Sequence, residues 1–160
     1  MATPEVKYEN GTYRAWFTSC VRWEQSASGP KHYYQLEYAE SEDGIDFRRD
    51  GTVAVSFRDE HEYALGVPRV VKDGDRYRMW FCSRATRECP DYRIRYATSS
   101  DGIVWERRDD VVGISVSDHG WHSQMICYPF VFDHGGERYM LYNGNDYGKT
   151  GFGIAVLSSE

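Results

Sequence analysis

A few side chains in this 160-residue sequence have the type and spacing to do chemistry. Glu60 and Glu62 are carboxylates just ahead of an apolar run, Ala64-Leu65-Gly66-Val67. Each can donate or accept a proton, or stand as a solvated loop charge, since Glu is rarely buried without a partner. Arg69 follows Pro68 on that run. Its planar fork suits a hydroxyl, carboxylate or phosphate, or an ion pair to a neighbouring unit. Further on, Trp121, His122 and Gln124 set a broad ring beside two hydrogen-bonding groups, and Asn143 and Asn145 flank Gly144. Amide side chains suit polar ligands, but Asn is also a turn residue that tolerates left-handed backbone. His119-x-x-His122 with Asp118 has the flavour of a metal motif. No third ligand follows at a recognisable interval, so neither metal nor cofactor is expected.

Those residues need a scaffold, and the composition points to sheet. Aromatics make up 16% of the chain, with thirteen Tyr and five Trp, side chains that fit pleated, half-buried surfaces. The net charge of -6 argues against a nucleic-acid binder. Both basic doublets, Arg48-Arg49 and Arg107-Arg108, run straight into Asp, so no phosphate-tracking stripe forms. No apolar run reaches the eighteen or so residues of a membrane span, and the N-terminus lacks a signal-peptide core. A soluble cytoplasmic chain with no membrane partner is expected. Cys20, Cys82, Cys89 and Cys127 lack paired metal-ligand spacing and read as thiols.

The chain also repeats itself. Pro4 precedes Tyr13 and Pro68 precedes Tyr77 by nine residues, and Pro129 precedes Tyr139 by ten. Residues 34–47 match residues 92–105 at an offset of 58, and 151–155 restate their first part. Each unit reads as strands joined by turns at Asn10-Gly11, Asp73-Gly74 or Gly135-Gly136, pairs suited to tight hairpins. The second strand alternates, with Tyr77, Met79 and Phe81 on one face and Arg78, Trp80 and Cys82 on the other. Trp16 and Trp80 recur at one repeat position and read as packing between units. The third strand turns at Asp43-Gly44 or Asp101-Gly102 into a fourth that holds Phe47 or Trp105. Segments around Gly29-Pro30 and Cys89-Pro90 read as exposed loops. Repeated four-stranded antiparallel units are the signature of propeller blades. The expected fold is therefore all-β: a β-propeller of about three consecutive blades, units 1–60, 61–120 and 121–160, the last incomplete. Three units do not close a ring, so missing sequence, self-association or a partner chain completing it is expected.

These residues resemble a known group. Tyr-Arg-Met-Trp-Phe (77–81) followed by Tyr-Arg-Ile-Arg-Tyr-Ala-Thr-Ser-Ser-Asp-Gly-Ile-Val-Trp (92–105) is similar to the blade pattern of glycoside hydrolase families 32, 43, 68 and 130. The run from Tyr128 to Leu157 resembles the C-terminal blades of uncharacterised members. The resemblance implies a five-bladed ring, a carbohydrate ligand, and carboxylates on inner strands around a central channel. Glycoside hydrolysis needs one carboxyl to protonate the leaving oxygen and a second to activate water or attack the sugar. In the family an acid stands beside a Pro on an early inner strand; here the residues before the repeated prolines are Thr3, Val67 and Tyr128. Where relatives carry Trp-Asp-Ser-Glu-Met before the last blade, this chain has Trp121-His122-Ser123-Gln124-Met125. Within the resemblance, Glu62 is the candidate catalytic acid. Arg69, Trp121, His122, Gln124, Asn143 and Asn145 are the candidate carbohydrate-binding groups. The alternative is a non-catalytic carbohydrate-binding or assembly module.

Overall fold

The computed structural model describes residues 2–26, 29–86 and 90–157, and nearly all of it is antiparallel sheet. Strands β1 (Ala2–Glu9), β2 (Thr12–Ser26), β3 (Gly29–Ser41) and β4 (Val53–Val55) form one blade. Strands β5 (Glu62–Asp73), β6 (Arg76–Ala85), β7 (Arg93–Ser99) and β8 (Glu106–Arg107) form the second. Strands β9 (Cys127–His134), β10 (Glu137–Asn143) and β11 (Phe152–Val156) form a three-stranded third. The first two blades join through one parallel bridge, Tyr34 to Ala64. The structure is thus an all-β, propeller-like succession of blades.

Alternation along each second strand builds the joints between blades. Tyr77, Met79 and Phe81 point back to the first blade, into a core with Trp16, Leu36, Tyr38, Val70 and Trp105. Trp80, one residue out of phase, points forward into a core with Ile94, Tyr96, Ile126, Val131, Met140 and Tyr142. Each large apolar side chain so buried stabilises the fold by about 2 kcal/mol. The Asp turns recur atom for atom. Asp43 Oδ1 accepts the Ile45 and Asp46 amides, and Asp101 Oδ1 accepts those of Ile103 and Val104. Ser41 and Ser99 accept the amides of Gly44 and Gly102, whose φ of 76° suits glycine.

Four expectations change in detail. The nine-residue interval from Pro ends in the third unit at Arg138, not Tyr139. Tyr13 pairs with Tyr8, Tyr77 with Lys72 and Arg138 with Asp133, the same ladder position each time. Tyr139 therefore lies one residue on, on the opposite face. Phe47 and Trp105 stand outside the fourth strands, which are the shorter β4 and β8. Trp105 instead turns inward, edge-on to Trp16. Gly29 and Pro30 are paired to Ser26 and Gln25 in a long β2–β3 hairpin rather than looped out. The second hairpin turns at Gly74-Asp75, because Asp73 still pairs with Arg76. Cys89 lies outside the described residues.

Candidate functional site

The repeated prolines mark a shared irregularity. Thr3, Val67 and Tyr128, each just before one, have φ of 43°, 53° and 57°. Each coincides with a break in ladder register. Positive φ on Thr, Val and Tyr is sterically costly, and bulges of this kind re-aim side chains. All three side chains line one cleft of about 500 Å³, together with Thr18, Cys20, Tyr34, Gly66 and Tyr92. Tyr34 and Tyr92 are repeat equivalents on the third-strand side of successive blades. The bulges are tied across blades: Thr18 and Thr3 hydroxyls share a 2.8 Å hydrogen bond, the Val67 amide donates to Thr3 Oγ1, and the Tyr128 amide donates to Cys82 Sγ.

The cleft is phenolic and uncharged. Tyr92, Tyr128 and Tyr147 form a cluster with centroids 6.0 to 6.2 Å apart. Burial pushes the Tyr92 phenol up to about 12 and raises that of Tyr128, so both keep their protons at neutral pH. Burial also pushes the Cys127 thiol up to about 11 and Cys82 higher still, which makes them packing groups rather than nucleophiles. No carboxylate lines the cleft among the described residues. None of the three pre-proline residues is an acid, so a search for carboxylates passes them over. The repeats themselves, through Tyr34, Tyr92 and Tyr128, carry the signal for this lining.

The residues singled out from sequence lie elsewhere. Glu62 is 3% exposed, neither a solvated loop charge nor part of the cleft. Arg107 donates to both its oxygens, at 2.6 and 3.1 Å, and the Arg58 amide donates to Oε2 at 2.7 Å. These three contacts enclose the carboxylate. Arg69 donates to Glu5 at 2.8 Å and lies over the Phe130 ring at 4.3 Å, clasping three successive inner strands at the residue after each proline. Trp121 stacks on Tyr142, and a Cβ on Gly144 or Gly153 would meet it at 2.4 or 2.5 Å, so both glycines are needed for its approach. It remains 37% exposed. His122 Nδ1 is 3.3 Å from the Tyr142 hydroxyl. The Asn145 side chain accepts the Gln124 and Met125 amides and donates to the Gly120 carbonyl, holding the loop around Trp121. Asn143 donates to the Tyr147 carbonyl. The Gln124 side chain is exposed. Trp121, His122, Gln124 and Asn145 thus form one loop assembly beside the third blade, while Glu62 and Arg69 lie apart from it in ion pairs with Arg107 and Glu5.

Solved glycoside hydrolases share this architecture. Zg3597, a family 117 glycoside hydrolase from the marine bacterium Zobellia galactanivorans, superposes with a TM-score of 0.75. The match covers 98% of this chain and 52% of that one at 14% identity. The chain has the fold of the propeller glycoside hydrolase superfamily. In sequence it is 42% identical over 159 residues to Uncharacterized protein Rv1502 of Mycobacterium tuberculosis, covering 99% of this chain and 51% of that protein. It is 32% identical over 128 residues to a 1,2-beta-oligomannan phosphorylase of Thermoanaerobacter sp., covering 79% of this chain and 43% of the enzyme. No family model matches. The chain spans about half the length of the relatives it matches. No helix among the described residues is long and apolar enough to cross a membrane.

Proposed function

We propose that this chain binds carbohydrate in the cleft between its inner-strand bulges and, by itself, does not hydrolyse glycosides. The observation that carries the reading is the convergence of Thr3, Val67 and Tyr128, from three blades, on one cleft lined by tyrosines and hydroxyls and by no carboxylate among the described residues. Protonated phenols donate to sugar hydroxyls and offer ring faces to the apolar side of a pyranose, the mixture of apolar wall and few polar groups that small-ligand sites use. Hydrolysis needs two carboxyls roughly 5–10 Å apart across the scissile bond. Glu62, the sequence candidate, is closed off by Arg107, and Glu5 is held by Arg69.

Mannosides are the first ligands to test, because the phosphorylase relative is named for an oligomannan. Isothermal titration with β-1,2-linked mannobiose, and with arabinan and fructan oligomers, is expected to find binding that Tyr128→Ala weakens about tenfold, as losing an aromatic contact of 1–1.5 kcal/mol does. A turnover screen with and without phosphate is expected to be blank. Binding untouched by Tyr128→Ala moves the ligand to the exposed Trp121 loop. Turnover by the isolated chain overturns the non-catalytic reading.

A further inference from the structure

The β2–β3 hairpin of the first blade continues past the residues that line the cleft. Trp16 pairs with Tyr38, and Trp80 with Tyr96 at the same repeat position, but the first pair encloses six more residues than the second. Cys20 and Tyr34, paired across the hairpin, are its outermost residues on the cleft wall. Beyond them the two faces of the ribbon differ in kind. Arg22, Glu24, Lys31 and Tyr33 share one face, where the charges are satisfied locally. Arg22 pairs with Glu24 at 3.0 Å, Tyr33 donates to Glu24 at 2.7 Å, and Lys31 lies over the Tyr33 and Tyr63 rings. Trp23, Gln25, Pro30 and His32 share the other face, on the side of Tyr34, with no Asp, Glu, Lys or Arg among its described residues. One bulge makes that sorting. The register slips between Cys20 and Arg22, so Val21 is an extra residue. Plain alternation would bring Arg22 onto the cleft side after Cys20; the bulge brings Trp23 there instead.

The rings on that face form a continuous stair out of the cleft. Tyr34, on the cleft wall, stacks on His32 at 4.2 Å, and His32 meets Trp23 edge-on at 5.5 Å. Trp23, at the outer end, is 64% exposed. The stair does not look towards the ends of the chain. His32 and Tyr34 lie on the side of β3 that, further along, sends Leu36 and Tyr38 into the joint with the second blade. We infer that this stair is an outer carbohydrate subsite. Resting on the reading of the cleft as a sugar site, the ligand is an oligosaccharide whose further units stack on His32 and Trp23. Flat aromatic faces suit the apolar side of a pyranose, whereas a charged partner would find its counter-charges on the opposite face of the ribbon. The Trp23 indole N–H, the His32 ring nitrogens and the Gln25 amide supply hydrogen-bonding groups for sugar hydroxyls. Two residues of strand advance about 7 Å, room for about one sugar unit, so the stair lengthens the site by roughly one or two units.

A cross-strand aromatic pair also stabilises its hairpin, so the test reads dependence on ligand length, which a purely structural role would not move. The whole chain is titrated calorimetrically with β-1,2-linked mannobiose, mannotriose and mannotetraose. Wild-type affinity is expected to rise about tenfold from the disaccharide to the tetrasaccharide, the scale of one added aromatic contact. Trp23→Ala is expected to abolish that rise while leaving mannobiose affinity and far-UV circular dichroism unchanged. Trp23→Phe, which keeps a ring and the cross-strand contact, should retain most of it. Affinity independent of length in the wild type overturns the inference. So does a Trp23→Ala loss that is equal at every length, which marks a structural effect on the cleft. Self-association that Trp23→Ala abolishes gives the face to a second copy and overturns it too. The two readings fail separately. Binding weakened by Tyr128→Ala but independent of length fails this one alone. A gain with length that Trp23→Ala removes and Tyr128→Ala leaves intact at every length fails the cleft reading alone.

Discussion

At the start of β5, Arg107 reaches both oxygens of Glu62 and also holds Asp109. The group sits inside the second blade, where a charge is stable only with its partner present. Glu62→Gln keeps the shape but removes the charge that Arg107 faces. It is expected to lower unfolding free energy by about 3 kcal/mol, at the lower end for a broken buried pair because Asp109 stays. Urea midpoints check the loss. Sugar affinity of the folded fraction should not move, and a loss of binding at wild-type stability would return Glu62 to the site. A sequence shows which residues are acids, but not whether an arginine 45 positions later will enclose one. From the sequence alone Glu62 reads as a solvated loop charge or as a proton donor. Arg69 differed only in that an inter-blade pair was already one of its two readings.

Arg138, early in β10, ties the hairpin of the second blade to that of the third. It donates to Asp73 at 2.6 and 2.7 Å and to Asp133 at 2.7 and 2.9 Å. Its hydrogen bonds hold both carboxyls below their ordinary range. Depressed carboxyls stabilise the fold fully above the unfolded value of about 3.9, and the contribution fades as pH falls through the lower folded values. Thermal unfolding followed downwards from neutral pH is expected to show a loss beginning below about pH 4. Asp73→Asn should be less stable at neutral pH and flatter in that acid window; an identical acid profile would remove this pair from the account. Strand order, blade facing and the Asp turns were legible because period-two alternation and Asp-Gly pairs act locally. The third blade's register was not. Tyr139 imitates the repeat tyrosines one residue late, and only the pairing of Arg138 with Asp133 reveals the slip.

Across the molecule, the cleft was the least legible feature. A bulge re-aims side chains relative to the ladder, so alternation alone could not tell that Thr3, Val67 and Tyr128 share a wall. What the joints and the cleft have in common is phenol at least partly withdrawn from water, and it sets the behaviour of the whole chain at high pH. Tyr38, in the joint between the first two blades, accepts from Arg14 and donates to Glu40, both at 2.6 Å. Burial, helped by Glu40, pushes its phenol up to about 12, and burial does the same for Tyr92 in the cleft. Unfolded tyrosines ionise near 10. A raised folded value means that stability is complete below about pH 10 and is lost as pH climbs from there towards 12, because the unfolded chain releases its protons first. Stability measured by urea unfolding should therefore be level from neutrality to about pH 9 and fall steeply above 10. In a spectrophotometric titration of the thirteen tyrosines, Tyr38 and Tyr92 should ionise only as the chain unfolds. Tyr38→Phe should lose its hydrogen bonds at neutral pH yet show a shallower alkaline fall. A wild-type profile that stays level through pH 12 would mean that water reaches both phenols, and with them the joint and the floor of the cleft.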